Sequence, residues 1–190
     1  IILKTKSELN IDEEKISLMM GKNCHIVIYP VNQNKELNLV CIIRDKKYDP
    51  DNIKTLVNKV VTQNSNLEKV FEGDLKSWPL YFTPKILPST NSKVFYIGDA
   101  FNGFLPTLAQ GAGQSIESAH ELFNLIKDDK AEIQNTYFKE RSRRAKIVKR
   151  RSNINFFVFH FSSSIMQTLR NFFMKFLVKR KSFVNSYLGT

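Results

Sequence analysis

The residues best suited to chemistry lie between Val94 and Phe123. The apolar run at 94–97 predicts a strand, and Asp99 follows its end, where open α/β sheets present polar groups to a ligand. Further along, the segment from Gly111 to Gly113 opens a predicted helix. The backbone N–H groups of such glycines and the positive end of the helix can face a ligand. The two features together predict one site for a large, partly anionic cofactor.

This stretch resembles the second flavin-binding motif of the FAD-dependent aromatic hydroxylases. These flavoprotein monooxygenases include the salicylate-, hydroxybenzoate- and ubiquinone-pathway hydroxylases. Their motif reads Gly-Asp-Ala-Ala-His, then a proline, then Gly-Gln-Gly-Ala-Asn and a helix with Glu-Asp-Ala. The resemblance implies that Asp99 hydrogen-bonds FAD hydroxyls and that Pro106 lies beside the flavin ring. The implied cofactor-binding residues are Gly98, Asp99, Ala100, Pro106, Gly111, Ala112 and Gly113.

Four departures separate this chain from the family pattern. Phe101 and Asn102 replace Ala-His, and Ala109 replaces the first glycine of the second part. Gly113 stands where Asn is usual, and Ser118 replaces the acid after the glutamate. The departures leave the backbone chemistry of the motif intact.

The resemblance implies an enzyme, a monooxygenase that uses FAD, NADH or NADPH, and O2 on a small aromatic substrate, salicylate-like or a quinone precursor. The flavin carries that chemistry, and no residue is assigned as a catalytic base. The sequence has no Gly-x-Gly-x-x-Gly for the FAD pyrophosphate. We therefore expect the C-terminal half of an enzyme, inactive by itself. A non-catalytic fragment, a membrane-surface module, and relatives such as halogenases and prenyl reductases stay open as alternatives.

The composition, 42% hydrophobic and 25% charged over 190 residues, predicts a globular fold. We expect a mixed α/β protein in three parts: a substrate-sheet part at 1–92, the flavin motif at 93–130, and basic aromatic helices at 131–190. Residues 21–30 resemble the start of the family's substrate sheet. The pattern predicts a hairpin of strands 25–31 and 37–43 with a five-residue loop.

Alternation in the first hairpin strand puts His25, Val27 and Tyr29 on one face and Cys24, Ile26 and Ile28 on the other. One face should be core, and the other is a candidate roof for the substrate pocket. Tyr29 is the candidate substrate residue there, although a structural role is the more common one for a tyrosine or histidine on such a strand. Cys24 and Cys41 read as buried free thiols, and no metal site is expected.

Helical spacing predicts four helices. The first covers 50–63 and begins at Asp49-Pro50. The second follows Gly113, ends near Asp128, and has an apolar face formed by Ile116, Ala119, Leu122, Phe123 and Ile126. The third spans about 131–152 with apolar anchors Tyr137, Ile147 and Val148. The fourth covers 164–178, where Ile165, Leu169, Phe172 and Phe176 predict a packed seam. A further strand is expected at 78–81.

The net charge of +11 comes from the C-terminal tail, since residues 141–190 hold 12 Lys and Arg and no Asp or Glu. A solvated helix face is the commonest explanation of such a charge run. Phenylalanines interleaved with the basic residues of 141–181 also suit a membrane surface. Nucleic-acid binding is the least favoured reading. We expect a cytoplasmic protein with peripheral contact at the inner membrane face as an option.

Overall fold

The structure is a computed structural model and describes residues 2–3, 14–33, 36–45, 52–61, 75–83, 85–91, 93–129 and 132–188. The strands in this part of the chain are β1 (Ile2–Leu3), β2 (Ser17–Gly21), β3 (Cys24–Val31) and β4 (Glu36–Ile43). The helices are α1 (Ile53–Val61), α2 (Asp99–Asn102), α3 (Gly111–Lys127), α4 (Ile133–Phe159), α5 (Ser164–Leu177) and α6 (Lys181–Leu188). The predicted mixed α/β class is confirmed.

The strands form one antiparallel sheet in the order β1-β4-β3-β2. Gly21 pairs with Cys24, so a two-residue turn joins β2 and β3, with Asn23 at φ 57°. Asparagine tolerates this left-handed backbone better than most residues. The predicted hairpin is confirmed, but its loop is one residue shorter than expected, because Glu36 already pairs with Val31.

The core of the sheet lies on one of the two faces of β3 that alternation predicts. Cys24, Ile26 and Ile28 are buried there, together with Leu37 and Leu39 of β4 and Val57 of α1. The helix predicted at 50–63 is present as α1, and its expected start at Asp49-Pro50 lies outside the described residues. Both cysteines are free. Burial raises the pKa of the Cys24 thiol and raises that of Cys41 to about 12, so both stay protonated.

The chain divides into two compact units: residues 1–79 with 157–189, and residues 80–156. We call them the sheet unit and the motif unit. The three-part division expected from the sequence stays a prediction. In the motif unit, the buried core is formed by Phe101, Tyr137 and Ala145, and the Tyr137 ring meets Phe101 edge-on at a 6.0 Å centroid distance. This core joins α2 to α4.

Several predicted elements differ from the structure. The segments 94–97 and 78–81 form no strand within the described residues, because no described neighbour pairs with them. The third helix runs to Phe159, with Tyr137 and Val148 buried as expected but Ile147 exposed. The α6 helix was not predicted.

Two apolar helix faces that the sequence identifies are largely exposed, so the packed seam expected on α5 is wrong. On α3, Ile116, Phe123 and Ile126 are exposed, and Gln114 and Ser118 are buried on the other side of the helix. On α5 the four residues of the expected packed seam are also exposed. Periodicity identified which residues share a face but not whether another element covers it.

Candidate functional site

The Gly98-Asp99 segment forms a tight turn at the start of α2. Gly98 has φ 57° and ψ −138°, and its carbonyl accepts the N–H groups of Phe101 and Asn102, each at 3.0 Å. Asp99 and Ala100 are exposed at the head of this helix. Just past α2, the N–H of Gly103 donates to Thr83 Oγ1 at 2.8 Å, while Thr83 N–H donates to the Gly103 carbonyl at 3.1 Å. The Asp99 carboxylate is therefore displayed to solvent on a turn fixed at both ends.

The turn lies directly against the first turns of α3. A Cβ built on Gly98 would be 2.6 Å from Ser115 Oγ and 3.3 Å from Ser115 Cβ. The Ser115 hydroxyl in turn donates to the Gly111 carbonyl at 3.0 Å. The structure thus brings the first and last parts of the predicted motif together, with Asp99 one residue from this contact.

The beginning of α3 is open and uncapped. Gln110 is the N-cap residue and makes no side-chain capping hydrogen bond. Within the described residues, the N–H groups of Gly111, Ala112 and Gly113 have no partner, whereas Gln114 N–H donates to the Gln110 carbonyl at 2.8 Å. A Cβ on Gly111 would meet no atom within 4 Å, and one on Gly113 would meet only Gln110 Oε1 at 3.7 Å. Free donors at the positive helix end are a suitable arrangement for an anionic or carbonyl-bearing ligand.

The loop between α2 and α3 is tied to α4. The Thr107 hydroxyl donates to the Ser152 carbonyl at 2.7 Å, and Asn155 Nδ2 donates to the Thr107 carbonyl at 3.2 Å. The Ser152 hydroxyl donates to the Leu105 carbonyl. Pro106, predicted beside the flavin ring, is exposed on this loop. Its neighbours on both sides are therefore held in place.

Two departures from the family pattern have structural consequences. Ala109, which replaces a glycine, has φ 53° and so occupies the left-handed region that glycine adopts without strain. Asn102 is buried, and neither atom of its amide has a partner in the described part of the chain. The backbone shape of the motif is thus kept even where the side chain differs.

A buried arginine, not singled out from the sequence, sets the position of α3. Arg141 of α4 is 4% exposed and donates to Gln114 Oε1 at 2.9 Å and to Glu117 and Glu121 at 3.3 Å each. Burial acts to raise the pKa of Glu117, but hydrogen bonds and charge from Arg144 and Arg141 outweigh it, so the pKa of that carboxyl is lowered. In the sequence, Arg141 looked like one member of the basic tail.

The sheet unit contains the predicted substrate residue. Tyr29 is half-buried on β3, on the face opposite the core, and its hydroxyl accepts a hydrogen bond from Asn38 of β4. Leu18 and Val40 are exposed on the neighbouring strands. This face therefore carries both polar and apolar side chains, as expected of a surface that covers a substrate pocket. The role of Tyr29 in substrate binding stays a prediction.

The sheet unit also holds a histidine pair that sequence reasoning missed. His25 and His160 are each 1% exposed, and His25 Nδ1 lies 3.1 Å from His160 Nε2. His160 Nε2 also lies 3.3 Å from the Ile42 carbonyl, which can only accept. This geometry favours a proton on His160 Nε2 and an accepting Nδ1 on His25. Burial, followed by the nearby His160, lowers the pKa of His25 to about 4.

The described residues give two further findings about the kind of site. They contain no cluster of three or more His, Cys, Asp or Glu side chains able to hold a metal ion. In the same residues, no helix combines the length and the apolar character needed to cross a membrane.

The chain is similar to FAD-dependent monooxygenases. It is 27% identical over 142 residues to a salicylate hydroxylase of Pseudomonas putida, which covers 66% of this chain and 32% of that protein. It is 24% identical over 173 residues to the 3-amino-4-hydroxybenzoate 2-monooxygenase PtmB3 of Streptomyces platensis, with 83% of this chain and 42% of that protein covered. An FAD-dependent monooxygenase of Aspergillus candidus, cfoG, is 29% identical over 146 residues, or 68% and 33% of the two chains.

The sequence profile of the squalene epoxidase family matches residues 2–189, and the chain belongs to this family. A solved structure described as a salicylate hydroxylase substrate complex has a TM-score of 0.62 at 18% identity, over 92% of this chain and 49% of that one. That likeness shows a shared fold. The predicted resemblance to FAD-dependent aromatic hydroxylases is confirmed. The chain spans about a third to a half of the length of these relatives.

Proposed function

We propose that this chain is the flavin-ring and substrate-sheet part of an FAD-dependent monooxygenase that hydroxylates a small aromatic compound with NADH or NADPH and O2. The observation that carries the proposal is the contact between the Gly98-Asp99 turn and the uncapped start of α3. The similarity to three monooxygenases, two of them named for aromatic substrates, supports it.

The residues at this site fit the flavin end of FAD. Asp99 is an exposed acceptor for ribityl or ribose hydroxyls. The N–H groups from Gly111 to Gly113 are free to face the N1 and C2 carbonyl edge of the ring, and the space beside Gly111 is open. FAD, when bound, supplies the redox and oxygen-transfer chemistry. The protein orients the ring, and the positive end of α3 favours negative charge on it.

The substrate is proposed to lie under the face of β3 that carries Tyr29. The Tyr29 hydroxyl is already oriented by Asn38, so it has a fixed direction in which to hydrogen-bond a polar substituent of an aromatic ring. The exposed Leu18 and Val40 on the same face offer apolar contact for the ring itself. Tyr29 is placed as a positioning group and not as a catalytic base.

The exposed side of α3 suits a complete protein that is larger than this chain. Ile116 and Phe123 are 71% and 61% exposed, and Ile126 lies on the same side. An apolar stripe of this size is normally covered by another element. We propose that the part of the complete flavoprotein that binds the FAD pyrophosphate packs there.

The purified complete protein tests the proposal. We expect it to be yellow, to show flavin absorption, and to oxidise NADH or NADPH faster when an aromatic substrate such as salicylate is added, giving a hydroxylated product that contains one oxygen atom from O2. A colourless protein that does not take up added FAD would contradict the proposal. A yellow protein that never inserts oxygen would instead favour a non-catalytic flavoprotein.

We also propose that the protein is cytoplasmic and that its C-terminal tail contacts a membrane surface peripherally. The sequence observation behind this is the confinement of the excess positive charge to residues 141–190. We expect α5 to make this contact, because its Phe172, Phe173 and Phe176 side chains are exposed.

A further inference from the structure

A serine in the C-terminal half of α4 contacts both neighbours of Pro106. The Ser152 hydroxyl donates to the Leu105 carbonyl, and the Thr107 hydroxyl donates to the Ser152 carbonyl at 2.7 Å. The hydroxyl oxygens of Ser152 and Thr107 lie 3.0 Å apart, and Ser152 is only 1% exposed. We call Leu105, Thr107 and Ser152 the loop clamp. It holds the loop between α2 and α3 on either side of its exposed proline.

The Ser152 hydroxyl points in an unusual direction for a serine inside a helix. Such a hydroxyl commonly bonds to the carbonyl four residues earlier in its own helix. Ser115 and Ser118 of α3 do so, at 3.0 Å and 2.6 Å. The Ser152 hydroxyl instead leaves α4 and reaches a residue 47 positions earlier in the chain. Because serine is also a poorer helix former than alanine, a serine at this position serves the loop and not the helix.

Pro106 depends on its neighbours for its position. Proline has no backbone N–H, so it cannot donate a hydrogen bond that would fix the loop. Asn155 of α4 adds a second donor to Thr107, whose carbonyl it reaches at 3.2 Å. Nearer α2, Gly103 and Thr83 bond to each other in both directions. Hydrogen bonds within the motif unit therefore hold the loop on both sides of the proline.

We propose that Ser152 is a positioning residue for FAD, which holds Pro106 where the flavin ring packs against it. This inference rests on the proposed function, which assigns the ring to the Asp99 turn and the start of α3. A loop that is already ordered loses little conformational freedom when a ligand binds, and this favours affinity. A loosened loop must be ordered by the cofactor, and it also places the ring less firmly. Ser152 acts through the loop and is not assigned a contact with FAD.

FAD binding by the complete protein tests this role. Ser152→Ala removes the bond to Leu105 and preserves α4, since alanine is the better helix former. We expect its FAD dissociation constant to rise by about three- to tenfold, as for the loss of one hydrogen bond, and its flavin absorption bands to shift. Ser142→Ala is the matched control and should change neither quantity. Ser142 is also buried on α4, and its hydroxyl has no partner among the described residues.

Variants of Thr107 separate positioning from a merely structural role. Thr107→Val removes the hydroxyl but keeps the branched shape, and it should repeat the effects of Ser152→Ala on FAD affinity and on the absorption bands. Thr107→Ser, which retains the hydroxyl, should restore the parent values. If Ser152→Ala and Thr107→Val lowered only the unfolding temperature, with FAD affinity and absorption unchanged, the inference would be overturned and the proposed function would stand. A parent protein that binds no FAD would overturn both.

Discussion

Gly98 and Ser115 are so close that a Cβ on the glycine would lie 2.6 Å from the serine Oγ. This contact presses the Asp99 turn against the first turns of α3. Gly98 also has φ 57°, a backbone conformation that residues with a side chain rarely adopt. The site therefore depends on glycine at this position for two independent reasons, space and backbone conformation.

We expect Gly98→Ala to destabilise the protein by at least about 1–2 kcal/mol from its left-handed backbone alone. The denaturant midpoint measures this loss. Adding Ser115→Gly to Gly98→Ala should restore only the part of the lost stability that the clash with the Ser115 side chain causes. Gly103→Ala is the control, since Gly103 has φ −75° and its nearest atom would be 3.5 Å away. If Gly98→Ala were no more disruptive than Gly103→Ala, the described turn would be incorrect.

Ala109→Gly should leave the fold intact and stabilise it slightly. Ala109 has φ 53°, and glycine relieves that strain while adding freedom to the unfolded chain, so a net gain of up to about 1 kcal/mol is expected. Thermal unfolding measures it. The matched control is Ala112→Gly in the first turn of α3, where the backbone is helical and glycine should destabilise instead. If Ala109→Gly lowered the unfolding temperature as much as Ala112→Gly, the positive φ at Ala109 would be contradicted.

The buried His25 predicts a dependence of stability on acid. Its folded pKa of about 4 lies below its ordinary value of 6.5, so between these values the unfolded chain binds more protons. Stability is therefore retained above pH 6.5 and falls as the pH drops towards 4, by about 3 kcal/mol in total. Protonation of His25 would also put an N–H donor on its Nδ1, facing the N–H of His160 Nε2.

Unfolding free energies measured from pH 7 to pH 4 test this dependence. In His25→Phe, the part of the acid-induced decrease in unfolding free energy that is due to His25 should disappear. His120→Gln, which removes an exposed histidine from α3, serves as the control. An unchanged acid profile in His25→Phe would show that the histidine pair does not carry the effect.

Local patterns predicted much of this fold. The two faces of β3 follow from strict alternation, since successive side chains of a strand point to opposite sides of the sheet. The start of α3 and the turn at Gly98 follow from glycines and from the Gly98-Asp99 dipeptide, which are features of adjacent residues. Such features can be predicted from the sequence because they depend on the backbone geometry of neighbouring residues.

Other features depend on contacts that local patterns do not encode. His25 contacts His160, which lies 135 positions further along the chain. Arg141 and Arg170 are buried, although both belong to the basic tail for which a solvated helix face is the commonest explanation. The apolar stripes of α3 and α5 were correctly recognised as stripes but not as exposed. The segment 94–97 needs a paired neighbour to become a strand, and the described residues provide none.

Asp99 is the residue on which the flavin assignment depends most directly. We expect Asp99→Ala in the complete protein to lose a charge-assisted hydrogen bond of about 1.5–3 kcal/mol, or about ten- to a hundredfold in FAD affinity. Asp128→Ala, at the exposed C-terminal end of α3, removes the same charge away from the site.

The dissociation constant for FAD, measured by titration of the stripped protein and followed by flavin fluorescence, is the decisive quantity. We expect this dissociation constant to increase markedly in Asp99→Ala and to stay unchanged in Asp128→Ala. Equal FAD affinity in the parent and in Asp99→Ala would contradict the assignment of the Gly98-Asp99 turn and the start of α3 as the flavin site.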